Sequence, residues 1–470
     1  MSASEGQTRC LDVFVIALSQ ARAGGEKRWF ESTLELQLTS LDICRACRNV
    51  SILHVRVTHE APSSLWSPRE VQARPIRGSS QARISSRVPV TRALHLTWAL
   101  SMKILLQRAD IELWMSSESL EVQGSWFPAS PASVVWPRRL TRLVLDPNFD
   151  TQNASWPGHL QRLELGDSFN QAIARVVWPA SLQQLSFGER FNQPIIGVVW
   201  PASLQRLAFG SRFNQPITEV VWPASLQRLS FGNHFNQPIA GVTWPAFLQQ
   251  LSFGDRFNQR IVEVVWPASL QQLSFGDLFD QAIARVVWPA SLEKLTFGYY
   301  FTQPITGVMW PASLQQLTFA DYFDQPIAEV VWPCSLKQLS FGDIFDQPIA
   351  GVVWPQSLQQ LSFGEYFDQA IARVVWPASL QQLTFGLRFN QPIAGVVWPA
   401  SLQRLSFGHW FDQPIAEVVW PRSLQQLSFG DFFDQPIADV VWPQSLQQLS
   451  FGEYSIRQLQ DSCGGRPCNS

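Results

Sequence analysis

Cys44 and Cys47 are two residues apart, the spacing at which a pair of thiolates grips zinc or exchanges a disulfide. Zinc needs four ligands, and no second CxxC or CxxH pair follows at the distance such a site requires. Cys463 and Cys468 stand in a polar tail, and Cys10 and Cys334 stand alone. Six scattered cysteines make no disulfide framework, so they read as incidental. The six histidines (His54, His59, His95, His159, His234 and His409) fall into no ligand or triad spacing. No phosphate loop, nucleophile elbow or paired-carboxylate motif stands out. The chain therefore reads as non-enzymatic, with no catalytic residue, no metal and no cofactor assigned.

The acidic residues are arranged by period instead of by cluster. Asp280, Asp324, Asp346, Asp368, Asp412 and Asp434 are separated by multiples of 22 residues. Stacked at one-strand spacing, two such charges repel by about 3–4 kcal/mol at an effective dielectric near 20, which a cation would relieve. The β-roll motif that binds calcium is, however, a glycine-rich nonapeptide, unlike this repeat. Asn occupies the same column at 170, 192, 214, 236, 258 and 390, and Thr at 302. What these residues share is an acceptor oxygen, so the column reads as accepting a backbone N–H in an Asx-type turn.

The period governs most of the 470 residues. Trp-Pro pairs begin at Trp136 and Trp156 and recur every 22 residues from Trp178 to Trp442. One unit, residues 178–199, reads WPASLQQLSFGERFNQPIIGVV. Leu182, Leu185 and Phe187 form L-x-x-L-x-F, whose end alternates apolar and polar as a strand does. Gly188 breaks the strand where a turn or a close backbone approach is needed. Phe191, Ile195, Val199 and Trp200 read as apolar anchors of the return path, and Pro179 and Pro194 forbid a helix. A lone unit cannot bury its apolar side chains, so neighbours must stack and pair their strands in parallel. The fold class is mostly β, a leucine-rich-repeat-like solenoid of about 14 stacked units.

The string LxxLxFGxxFNQPI, repeated every 22 residues, resembles the FNIP repeat, a relative of the leucine-rich repeat. The resemblance implies a solenoid that mediates protein interactions, with no catalytic residues to carry over. This chain has Trp-Pro where FNIP units usually have Leu-Pro. Many members carry an F-box, and none is found in residues 1–95, so a ubiquitin-ligase adaptor is the least favoured role. Residues 1–92 read as a region of unassigned fold that ends in an Arg/Ser/Pro-rich linker. Its strand-like pieces run from Leu11 to Leu18, Thr33 to Leu38 and Ile52 to Val57. Residues 93–135 read as an N-terminal cap that includes a helix, 136–454 as the repeat array, and 455–470 as a polar tail.

Copies within the chain show what each column needs. A Gln follows the Asn/Asp position from Gln171 to Gln435 without exception, and reads as an amide ladder in which each Gln donates to the next. Variation concentrates in the two residues after the Gly. The first is often acidic; the second is Arg190, Arg212 and Arg256 early in the array. Later it is Tyr300, Tyr322, Tyr366, Trp410, Phe432 and Tyr454. Exposed rings beside acidic residues have the makeup of interface hot spots. These nine residues are assigned as the partner-binding surface of a protein-binding scaffold. A structural or carbohydrate- and surface-binding solenoid is the alternative.

Bulk properties set limits on the partners. A net charge of −2 gives no electrostatic case for nucleic acid or an anionic membrane. Nothing implies a small-molecule substrate. The first twenty residues lack a basic region followed by a long apolar run, and the apolar stretch from Ala93 to Leu106 is too short and polar to span a bilayer. A cytoplasmic protein with protein partners of unassigned identity is expected.

Overall fold

The computed structural model describes residues 54–56, 95–98, 119–122, 136, 139–145, 151, 152 and 154–452. Cys44, Cys47, the basic stretch between Arg69 and Arg92, and Tyr454 lie outside these residues, as do the segments Leu11 to Leu18 and Thr33 to Leu38. The chain forms two compact units, Met1–Trp126 with Trp136–Leu143, and Phe127–Val135 with Val144–Ser470.

The first unit contains β1 (His54–Arg56), β2 (His95–Trp98) and β3 (Ser119–Val122). β2 pairs in parallel with both, His54 opposite His95 and His95 opposite Ser119. Of the segment 93–135, read as a cap that includes a helix, residues 95–98 and 119–122 are strands, and the remainder lies outside the described residues. His-Leu-Thr-Trp alternates polar with apolar and carries a β-branched and an aromatic residue, which suits a pleated surface better than a helix. Among the described residues there is no helix long and apolar enough to cross a membrane.

After β4 (Arg142–Leu145) and β5 (Arg162–Leu165), strands recur at every 22nd residue from β6 (Gln184–Ser186) to β18 (Gln448–Ser450). From β5 onward each pairs in parallel with the next in a register shifted by one repeat, as in Leu185 opposite Leu207. The second unit is thus a parallel β-solenoid of about fourteen turns. From β6 to β18 each strand is three residues long, as in Gln184–Ser186, where one inward Leu stands between two outward polar residues. The regular pairing continues past the strand. Phe187 N–H donates to Ala208 O at 2.9 Å, and Arg190 N–H to Asp167 O at 2.8 Å, so the turn after the Gly is also laddered.

The glycine column ties neighbours closely. A Cβ on Gly254 would stand 2.2 Å from Gly232 O, with its φ outside the left-handed region, so close approach and not backbone conformation demands glycine. Among the described residues, from Gly166 to Gly452, Ala320 is the single copy in this column that is not glycine.

The core consists of Leu182, Leu185, Phe187, Phe191, Ile195, Val198 and Trp178 and their repeats, 0–8% exposed in most units and half-buried at Trp156, at Trp310 and in the last turn. Phe187 stacks on Phe191 within its unit at 4.1 Å, and the pair continues into the next unit at 5.5 and 6.0 Å. Such contacts add about 0.5–1.5 kcal/mol each beyond burial. The step grows across the array. Neighbouring strands lie about 4.8 Å apart, Phe191 and its repeats 6.0–6.1 Å, and the Trp column up to 6.5 Å. Units are therefore wedges with the sheet on the narrow side.

One anchor is corrected. Val199 is not in the core; with its repeats it is 77–82% exposed, where the preceding residue, Val198, is buried. The turn closed by Val198 N–H to Ile195 O points Val198 inward and leaves its neighbour outside.

Candidate functional site

The two residues after each Gly emerge from the core because the turn that follows, closed by Phe191 N–H to Gly188 O at 3.2 Å, drives Phe191 inward and leaves positions 189 and 190 outside. The ladder through this turn repeats the arrangement in every unit. Tyr300 N–H donates to Asp277 O, Tyr322 N–H to Tyr299 O, and Tyr366 N–H to Asp343 O. Side chains that the sequence places 22 residues apart thus form one row.

Tyr300, Tyr322, Tyr366, Trp410 and Phe432 are 39–56% exposed, in contrast to the core columns. They meet neighbours along the row. Tyr300 and Tyr322 have ring centroids 5.0 Å apart, and Trp410 and Phe432 5.2 Å. Arg388 lays its guanidinium 3.9 Å above the Tyr366 ring, a cation–π contact. His409 Nδ1 lies 2.7 Å from Asp431 Oδ2, with its ring 4.7 Å from that of Phe432. Arg190, Arg212 and Arg256 occupy the same row at its other end, exposed. Ile344 continues the row between the rings, as its place in the sequence column implied, and Leu278 stands between Arg256 and Tyr300.

Two of the row's groups titrate away from their ordinary range. Partial burial, with repulsion from Asp343 and Asp277, raises the Asp321 carboxyl. Desolvation, with Tyr322 and Asp321 adding to it, raises the Tyr299 phenol.

Beside the row, the Asn/Asp column proves to be an acceptor column, but the N–H it accepts lies one unit on. Asn192 Oδ1 accepts from Asn214 N–H at 2.9 Å and from Gln215 Nε2 at 3.0 Å. The expected local Asx turn is corrected accordingly. The expected Gln-to-Gln ladder is corrected as well, since the Gln amides donate to the Asn or Asp of the preceding unit in most copies, as Gln347 does to Asp324 Oδ1 at 2.9 Å. The physical reason is proximity. The acceptor one residue back in the previous unit already holds a backbone N–H, and its second lone pair faces the Gln. Among the described residues no group of three or more His, Cys, Asp or Glu side chains is arranged to hold a metal ion. Cys334 is exposed with a free thiol.

Two further surfaces escaped the sequence reading. The outward side of β6–β11 bounds a groove of about 510 Å³ lined by Gln184, Arg206, Arg228, Gln250, Gln272 and Lys294, with Ser, Thr or, at 208, Ala two residues on. On another face the Val199 column forms an exposed ridge, Val in all copies from Val177 to Val441 but Thr243 and Met309. A polar strand residue looks like any solvated one, and adjacent valines look alike. Only the narrow side of the wedge turns the first into a groove.

The FNIP Repeat family model matches overlapping segments that together run through residues 191–454. Among solved structures, CroV588, described as a novel circular LRR protein, aligns at 37% identity with a TM-score of 0.66 over 76% of this chain. The match spans 60% of CroV588's own length. An internalin (InlF) of Listeria monocytogenes aligns at 14% identity over 67% of this chain and 87% of its own, with a TM-score of 0.43. No curated protein matches the sequence.

Proposed function

Since this chain belongs to the FNIP-repeat family, we propose that it is a non-catalytic protein-binding scaffold whose partner lies along the row from Tyr300 to Phe432. Solenoids of the leucine-rich-repeat type commonly serve protein interaction. The observation that supports this particular surface is a registered row of half-exposed rings in an array whose core is filled without them. Large exposed rings favour a partner that covers them, and such rings dominate interface energies. Arg190, Arg212 and Arg256 then supply orientation and salt-dependent attraction at the other end of the row. Tyr454 belongs to the row by its sequence register. A cytoplasmic location completes the proposal, and fluorescence localisation of the tagged chain tests it.

The test compares the full chain with a Tyr322→Ser, Tyr366→Ser and Trp410→Ser variant as baits. The variant keeps the circular dichroism and melting of the wild type and loses its captured partner. Unfolding of the variant would make the rings part of the core. Unchanged capture by a folded variant would put the interface elsewhere. The groove, lined by amides and hydroxyls together with Arg206, Arg228 and Lys294, favours a second reading, carbohydrate binding, which glycan-array binding abolished by Gln250→Leu would support.

A further inference from the structure

Along the row a carboxylate stands beside a ring again and again, and in two places the chain fills the arrangement with a basic side chain of its own. Arg388 covers Tyr366, the neighbour of Glu365, at 3.9 Å. His409 bridges Asp431 at 2.7 Å and meets the Phe432 ring edge-on. In a third place no such side chain is supplied. Tyr299, Tyr300 and Tyr322 form a triad with centroid separations of 4.7, 5.0 and 5.0 Å, tilted by 72°, 53° and 33°. Asp277 precedes the triad in the acidic column, and Asp321 and Asp343 follow. The three carboxylates have no Lys or Arg partner among the described residues, and Asp321 feels the charge of both others. The columns that hold Arg388 and His409 elsewhere are here occupied by Tyr300 and Tyr299.

We propose that Tyr299, Tyr300 and Tyr322, with Asp277, Asp321 and Asp343, form a subsite for an arginine side chain from an extended basic segment of a protein partner. This rests on the row being the partner-binding surface. A guanidinium fits both halves of the site, since it stacks on ring faces and pairs with carboxylates through its planar fork. The contact between Arg388 and Tyr366 shows the ring half of this geometry already realised two repeats along the row. Acidic residues continue past the triad through Asp343 and Glu365, so an extended segment with several basic residues gains attraction beyond the first. The ladder from Tyr300 N–H to Asp277 O and from Tyr322 N–H to Tyr299 O holds the site's backbone fixed before any ligand arrives, which limits the ordering cost of binding.

The experiment is calorimetric titration of the full chain with a blocked hexa-arginine peptide and with its neutral isostere, hexa-citrulline. The arginine peptide binds, with affinity falling as salt rises, and the citrulline peptide binds at least tenfold more weakly. Tyr299→Ser with Tyr322→Ser, and separately Asp321→Asn with Asp343→Asn, each reduce arginine-peptide affinity at least tenfold. The charge-matched control Glu219→Gln with Glu263→Gln, both exposed and on another column, leaves it within twofold. Arg388→Gln uncovers Tyr366 and raises the affinity or the number of bound peptides. Should the control weaken binding as much as the aspartate variant, or the wild type not bind the peptide, the subsite is refuted. Loss of partner capture in the row variant would then still uphold the row as the partner's surface, whereas intact capture beside specific peptide binding would put that partner's interface elsewhere and keep the subsite for a basic segment.

Discussion

Asn192 sits where two neighbouring units exchange a side-chain contact that recurs along the array. Its Oδ1 takes Asn214 N–H at 2.9 Å and Gln215 Nε2 at 3.0 Å. Replacement by Leu removes both bonds. Gln215 keeps an alternative in Asn192 O at 3.1 Å, but the Asn214 N–H has no other acceptor in the ladder. A donor left without a partner costs about 1–3 kcal/mol, and the half-buried setting places Asn192→Leu toward the middle of that range. Asn192→Asp keeps the acceptor and adds charge to two hydrogen bonds that both point at it. The array already uses this form, since Asp280 Oδ1 takes Thr302 N–H and Gln303 Nε2 at 2.9 Å each. The aspartate variant therefore stays within about 0.5 kcal/mol of the wild type. Urea denaturation gives the two stabilities, and hydrogen exchange at Asn214 shows whether the loss is local. If Asp proves as damaging as Leu, the column requires a donated amide proton and the acceptor account fails.

Three other perturbations follow from the same geometry. Gly254→Ala drives a Cβ against Gly232 O between two ladder bonds of 3.0 and 2.8 Å, Phe231 N–H to Ser252 O and Arg256 N–H to Asn233 O. Overpacking of about 1–3 kcal/mol is expected, read by melting, while Ala320 shows that one copy is survivable. Trp288→Ala opens a cavity beside Trp310, its stacked neighbour at 6.5 Å, and costs about 3–5 kcal/mol. Hydrogen exchange then shows protection lost in adjacent units more than in distant ones, as a one-dimensional array requires. Asp321→Asn raises the melting temperature at neutral pH, because the folded carboxyl titrates above its ordinary value of 3.8 and its charge is disfavoured in the folded state. That penalty disappears as pH falls through the raised folded pKa and is absent below the unfolded value. The difference between variant and wild type in melts at pH 7 and pH 3 therefore shrinks toward zero.

The repeat, the strand at Leu185, the close approach at Gly188 and the acceptor at Asn192 could all be read from the sequence. In each, one residue type answers one local demand, and the copies repeat the answer. Whether Val198 or Val199 is buried could not be read, because the two are chemically identical and a single hydrogen bond of the turn sets their parity. The partner of each Gln was equally hidden. A constant amide column fits a Gln ladder and a Gln-to-Asn ladder alike until the offset between units is known. The row after the Gly was legible as a change of residue character, but its contacts depend on how far each ring leans toward the next unit. Residues outside the array gave less, since no copies exist there to compare and the alternation in His95–Trp98 spans only four residues.

The surface that meets the partner is tested most directly by photo-cross-linking from three faces of the folded chain. A photoreactive residue replaces Ile344 in the row, Gln250 in the groove or Val287 on the ridge. Each variant is then incubated with the captured partner and irradiated. The account predicts a covalent adduct from position 344 and none from 250 or 287. Adducts from 250 or 287 with none from 344 would contradict it.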